Sequence, residues 1–124
     1  MMITHIAIVS LPVSDQTRAL DFYRDVLGFE VVRDNPFMPT GARWIEVRPF
    51  GARTSFTLVT WFETMMPGSM TGTVLEVNDL DATYAELQAR GLALSAIDDA
   101  PWGRYATFTD PDGNGFVLQH SRMP

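Results

Sequence analysis

One pattern is written twice along this chain, and that repeat restricts the fold more than any other feature. Ile3–Val13 is apolar and rich in β-branched residues, which predicts a strand, and Ser14-Asp15 then supply N-cap side chains. Gln16–Leu27 places Ala19, Phe22, Tyr23, Val26 and Leu27 on one helical face, and Gly28 supplies a left-handed stop. Further on, Thr73–Val77 is again strand-like, Asn78-Asp79 again a cap, Leu80–Arg90 again amphipathic, and Gly91 closes it. The closing glycines differ in offset by one residue, counted from Val13 and from Val77.

Each block is followed by three short strand candidates. These are Phe29–Arg33, Arg43–Arg48 and Ser55–Thr60 in the first half, and Leu92–Ile97, Tyr105–Thr109 and Gly115–His120 in the second. Pro49-Phe50-Gly51 and Asp110-Pro111-Asp112-Gly113-Asn114 carry the turn chemistry between strands, with proline presetting φ and glycine free to take positive φ. The expectation is an α+β protein of two tandem βαβββ modules, the first spanning about residues 1–62 and the second about 71–122, joined by a linker at 63–70. Neither half has enough apolar surface to stand alone, so residues 1–124 are expected to pack as a single domain.

Composition narrows the partners. Fifteen acidic and nine basic residues give a net charge of −6, and no basic patch interrupts that field, so nucleic acid and anionic membrane surfaces are not expected partners. A cationic small molecule would be attracted. There is no cysteine, which removes disulfides, thiolate metal sites and a cysteine nucleophile. The opening MMITHIAIVS has no basic leader or cleavage motif, and no apolar run approaches the roughly 20 residues needed to cross a bilayer. A cytoplasmic location is expected.

Val13-Ser14-Asp15 leading to Ala19-Leu20-Asp21-Phe22-Tyr23, then Leu27-Gly28-Phe29, and finally Asp110-Pro111-Asp112-Gly113-Asn114 before the last strand form a specific set when taken together. In these residues the chain resembles the vicinal oxygen chelate superfamily, the glyoxalase/bleomycin resistance/dioxygenase group. The resemblance implies paired βαβββ modules forming a cupped, partly closed barrel, commonly as a homodimer. It leaves the chemistry open, because members include isomerases, ring-cleaving dioxygenases, thiol transferases and metal-free drug-binding proteins.

The resemblance also implies where a divalent metal would be held: by His and Glu side chains from the first and last strands of each module. Those positions fall here on Ile8, on Leu58 (or Thr57), on Gly72 (or Thr73) and on Val117. None is a suitable ligand for a Lewis acid that needs three or four converging nitrogen or oxygen atoms, so no cofactor is expected. The replacement candidates are His5, Glu46, Glu76 and His120, and the alternative metal site would join His5, Glu76 and His120. His5 lies three residues from Ile8 and His120 three from Val117, so side-chain alternation turns both away from the cup unless a bulge intervenes. No G-x-S-x-G elbow accompanies the two histidines, and Asp110–Asn114 lacks the ligand spacing of a calcium loop.

Trp44, Glu46 and Arg48 alternate with Ile45 and Val47. With the aliphatic pair against the helices, the Trp–Glu–Arg face lines the cup, where a flat ligand with polar edges finds stacking and charge-assisted hydrogen bonds. The ligand-binding residues are expected to be Trp44, Glu46, Arg48, Glu76 and Gln119. Glu46 or Glu76 would serve as a general base if desolvation raised its pKa. Trp61 and Trp102, with Met38, Met65, Met66 and Met70, fall in loops suited to a rim, a lid or an interface.

The reading reached is a metal-independent protein binding or sequestering an aromatic or cationic small molecule. The alternatives are a metal-dependent lyase or isomerase (lactoylglutathione lyase-like) or dioxygenase with a non-standard site, and a protein-interaction module.

Overall fold

The computed structural model describes residues 2–122. The strands are β1 (Ile8–Pro12), β2 (Glu30–Pro36), β3 (Arg43–Arg48), β4 (Ser55–Val59), β5 (Thr73–Glu76), β6 (Asp98–Ala100), β7 (Gly103–Thr109) and β8 (Gly115–Ser121). Helix α1 covers Gln16–Asp21 and runs into a π-helical turn, Phe22–Val26; helix α2 covers Leu80–Ala89. The order is strand, helix, three strands, twice over. The strands form two four-stranded sheets, ordered β1-β4-β3-β2 and β5-β8-β7-β6. In each the first strand lies parallel to the last of its own module, and the other pairs are antiparallel. Neither sheet closes on itself, so the α+β architecture is open and cupped.

The repeat uses the same local chemistry in both modules. Asp15 accepts a hydrogen bond from the Arg18 N–H and Asp79 from the Ala82 N–H, both at 3.0 Å, so each helix begins on an aspartate that satisfies one of its orphan donors. One face of each sheet is then buried. Leu11, Ile45, Val47 and Leu58 have no solvent exposure beneath α1. Each such aliphatic side chain contributes roughly 1.5–3 kcal/mol by leaving water.

Core residues of both modules belong to one cluster. The junction is aromatic: Tyr23 and Phe56 each approach Phe116, at 6.0 and 6.1 Å between ring centroids, and Phe22 approaches Phe108 at 6.5 Å. It is also locked by polar bonds from the β7–β8 turn. Asn114 donates to the Pro12 carbonyl, and Asp112 accepts from the backbone and hydroxyl of Ser14. No helix of the described residues is long and apolar enough to cross a membrane.

Several boundaries differ from expectation. Ile3–Ala7 is not strand, because β4 begins at Ser55 and offers this arm nothing beyond the bonds from Ser55 N and Thr54 Oγ1 to Ala7 and Ile6. The expected single helix to Leu27 widens to π geometry after Asp21. Leu92–Ile97 is not strand either. Its apolar residues Leu92, Leu94 and Ile97 pack on the core edge, and β6 forms later, where Asp98–Ala100 pairs with Gly103–Tyr105. Strand β2 starts one residue late and runs on to Pro36.

Candidate functional site

Strand phase sorts the expected site residues. Ile45 and Val47 are buried under α1, which leaves Trp44, Glu46 and Arg48 on the outer face of the first sheet. There Glu46 sits opposite Thr57 of β4. On the other side a β-bulge between Val31 and Arg33 shifts the register, so that Arg33 rather than Val32 faces Glu46. The Trp44 indole N–H donates to Glu46 Oε1 at 3.2 Å, and Arg33 Nε lies 3.5 Å from the same oxygen. Glu46 is only 7% exposed, so a buried carboxylate is held by an indole and a guanidinium at a solvent-facing surface.

Next to it, Arg48 Nε lies 3.3 Å from Glu30 Oε2 at an angle that makes an ion pair but no hydrogen bond. Glu30 also accepts from the Gly51 N–H at 2.7 Å, and that bond, with Arg48, holds its carboxyl below the usual range.

Trp44 belongs to an aromatic wall. Trp61 stacks with it at 6.3 Å and 24° between planes, while Phe37 touches both, 5.3 Å from Trp44 and 4.8 Å from Trp61. Phe62 extends the group, 6.2 Å from Trp61. Phe37 and Phe62 are 45% and 47% exposed, so the wall presents ring surface to solvent. Phe37, Phe62 and Arg33 were not legible as site residues. The only hint was residue type: Phe37 lies between β2 and β3, Phe62 just after β4, and Arg33 at the end of the strand expected over Phe29–Arg33.

The outer face of the second sheet carries Glu76 and Gln119, paired directly across β5 and β8. Both meet Ser121: Glu76 accepts from its N–H at 2.8 Å and its hydroxyl at 2.6 Å, and Gln119 Nε2 donates to that hydroxyl at 2.9 Å. Tyr105, opposite Gln119, stacks with Trp102 at 6.3 Å. The two Ser121 bonds hold the Glu76 carboxyl below its usual range. That corrects the raised pKa expected of Glu76 as a general base: it is exposed, and its hydrogen bonds favour the charged form.

The expected residues therefore form two groups, Trp44–Glu46–Arg48 on one sheet and Glu76–Gln119 on the other, and no hydrogen bond or ring contact among the described residues joins them. A separate cavity of about 540 Å³ opens between the modules, and of the expected residues only Glu76 lines it.

The family's metal does not fit this chain. Ile8, Leu58, Thr73 and Val117 offer it hydrocarbon or one hydroxyl, and among the described residues no three His, Asp or Glu side chains converge. His5, Glu76 and His120 are not brought together. His5 Nδ1 accepts from Arg53 at 2.9 Å, His120 Nδ1 meets the Val77 carbonyl at 2.9 Å, and Glu76 is engaged by Ser121.

Residues 3–118 match the family model of the glyoxalase/bleomycin resistance protein/dioxygenase superfamily. The chain belongs to that superfamily. Its fold is shared with other superfamily members of known structure. It is 47% identical to TnmS3, an antibiotic binding protein from Streptomyces sp. CB03234, with a TM-score of 0.92 over 98% of each chain. A superfamily member from Sphaerobacter thermophilus is 40% identical with a TM-score of 0.88, covering 98% of this chain and 100% of that one. YetH of Bacillus subtilis is 36% identical over 122 residues, 95% of this chain and 99% of its own length. Glyoxalase-superfamily proteins thus include an antibiotic binder at close to half identity to this chain.

Proposed function

We propose that this superfamily member binds a planar aromatic small molecule of the kind found among antibiotics, on the outer face of its first sheet and without a metal. The observation that carries this reading is the Phe37–Trp44–Trp61 wall beside the buried Glu46 and its partner Arg33. Large rigid rings supply contact area at low entropic cost, and the adjoining carboxylate and guanidinium read the polar edge of a flat ligand. The antibiotic-binding relative supports the ligand class. Glu76 and Gln119, with Trp102 and Tyr105, offer a second polar and aromatic surface on the other sheet.

We further infer that residues 1–124 act as one domain, in the cytoplasm, and that two copies associate. Phe37, Phe62, Val74 and Trp102 are each at least 45% exposed, and a second copy would cover such apolar side chains. Titration with two planar probes, acridine and anthraquinone-2-sulfonate, followed by tryptophan fluorescence, tests the ligand reading. Saturable quenching that is lost in Trp44→Ala supports it. Quenching unchanged by Trp44→Ala, or none with either probe, overturns it.

A further inference from the structure

We propose that the molecule held on the aromatic wall carries an uncharged hydrogen-bond donor on its ring edge, a phenol-type hydroxyl or an aryl N–H, and that Glu46 selects for it by accepting that bond. The inference deepens the reading of the wall as a binding surface and rests on it. Glu46 stands two residues from Trp44 on the same face of β3, and the Trp44 indole N–H donates to its Oε1 at 3.2 Å. The carboxylate therefore lies at the nitrogen edge of the indole. A flat molecule resting on that ring brings its own edge to Glu46.

The hydrogen-bond inventory of Glu46 decides the chemistry of that edge. Oε1 is occupied by the indole, with Arg33 Nε beside it at 3.5 Å as an ion pair. Oε2 receives no hydrogen bond from any described residue, although Glu46 is only 7% exposed, and this oxygen keeps an opening to solvent. Asp110, buried to a similar degree, accepts on both of its oxygens. A carboxylate offers acceptors alone. Water serves Oε2 while the face is open, and a ligand covering the wall excludes that water. A ligand without a donor strands the buried oxygen, whereas one with a donor replaces the water by a charge-assisted bond.

The charge balance of the face favours a neutral donor over a cation. Glu46 is paired with Arg33, and Glu30 with Arg48, so two carboxylates meet two guanidinium groups. A cation finds no net negative charge there. What Oε2 lacks is a proton donor, since its counter-charge is already in place.

The test is calorimetric titration of the intact protein at pH 7 with four probes that differ at one edge: naphthalene-2-sulfonate and its 6-hydroxy, 6-amino and 6-methoxy derivatives. Both donor groups are uncharged at that pH, and the methoxy group keeps the hydroxyl oxygen without its proton. The hydroxy or the amino probe should bind about tenfold or more tightly than the parent and the methoxy probe, and the tighter of the two identifies the donor. In Glu46→Gln, and in Glu46→Met, which removes the acceptor altogether, that advantage should shrink to within about threefold. The wild-type series decides by itself if a variant fails to fold. Equal binding of all four probes, tightest binding of the methoxy probe, an advantage that survives both substitutions, or no binding of any probe overturns the inference. Equal binding that is weakened throughout by Trp44→Ala would leave the wall standing as a site without this selectivity. Binding untouched by Trp44→Ala would remove the wall as well, and acridine and anthraquinone-2-sulfonate test it independently.

Discussion

The hydroxyl of Tyr23 donates to Asp110 Oδ2 at 2.6 Å, tying the first module's helical segment to the second module's last turn across 87 positions of sequence. Asp110 is otherwise saturated: its Oδ1 accepts from the N–H groups of Asp112 and Asn114, and its Oδ2 also accepts from the Asn114 amide. Burial first, and the hydrogen bond to Asp110 second, push the Tyr23 hydroxyl far above its usual range, so it remains a donor at any working pH.

Tyr23→Phe keeps the ring contacts to Phe29 and Phe116 but removes this donor. The expected cost is about 1–3 kcal/mol, because a buried carboxylate loses one of its partners. Urea unfolding should show a lower midpoint with an unchanged slope. An unaltered midpoint would mean that the bond contributes nothing to stability.

Gly68 is packed against the same turn. Its φ is +83°, and a methyl group built on it would drive into the Asp112 carbonyl oxygen. Gly68→Ala is therefore expected to destabilise by more than the ordinary Gly-to-Ala difference of about 1 kcal/mol. Gly41, also at positive φ but facing open space, is the control, and its alanine variant should lose less. Thermal unfolding of the two variants side by side checks the order.

Wall variants should separate binding from folding. Phe37→Ala removes a ring that is 45% exposed, so its effect on stability should stay within about 1 kcal/mol. The affinity for whichever planar probe quenches the wild-type protein should fall several-fold, in keeping with roughly 0.5–1.5 kcal/mol for an aromatic contact. Parallel melting and quenching measurements read the two effects independently.

The Asp34–Arg43 pair ties stability to pH. Two hydrogen bonds from Arg43, both 3.0 Å, hold the Asp34 carboxyl below its ordinary value of 3.8. A folded-state pKa depressed in this way adds stability above the unfolded value, and the gain is lost as pH falls through the lower folded value. Asp34→Asn should therefore reduce stability at pH 6 and make little difference well below pH 3. The pair is partly solvent-exposed, so the effect should not exceed about 1 kcal/mol. Urea midpoints of both proteins at the two pH values test this.

Metal removal should be silent. With hydrocarbon at Ile8 and Val117, and with His5 and His120 engaged by Arg53 and the Val77 carbonyl, dialysis against a chelator should leave the melting temperature where it was. A fall on dialysis, restored by one divalent ion, would reinstate the metal-dependent alternative.

The repeat was determined by local sequence. Asp15 and Asp79 cap, Gly28 and Gly91 stop, and the alternation at Trp44–Arg48 sets which side chains are buried, because each rule acts over a few residues. The first sheet's polar face followed from that phase alone. Tertiary structure decided what surrounds it. The bulge after Val31, which turns Arg33 toward Glu46, depends on pairing with a strand ten or more residues away, and the loops that bring Phe37 and Trp61 to Trp44 have no periodicity to read. Strand limits were decided in the same way: Ile3–Ala7 has strand-forming residues but little to pair with once β4 begins at Ser55. Periodicity assigns a side chain to a face, while neighbours across a fold are chosen by packing between distant segments, which no short window of sequence contains.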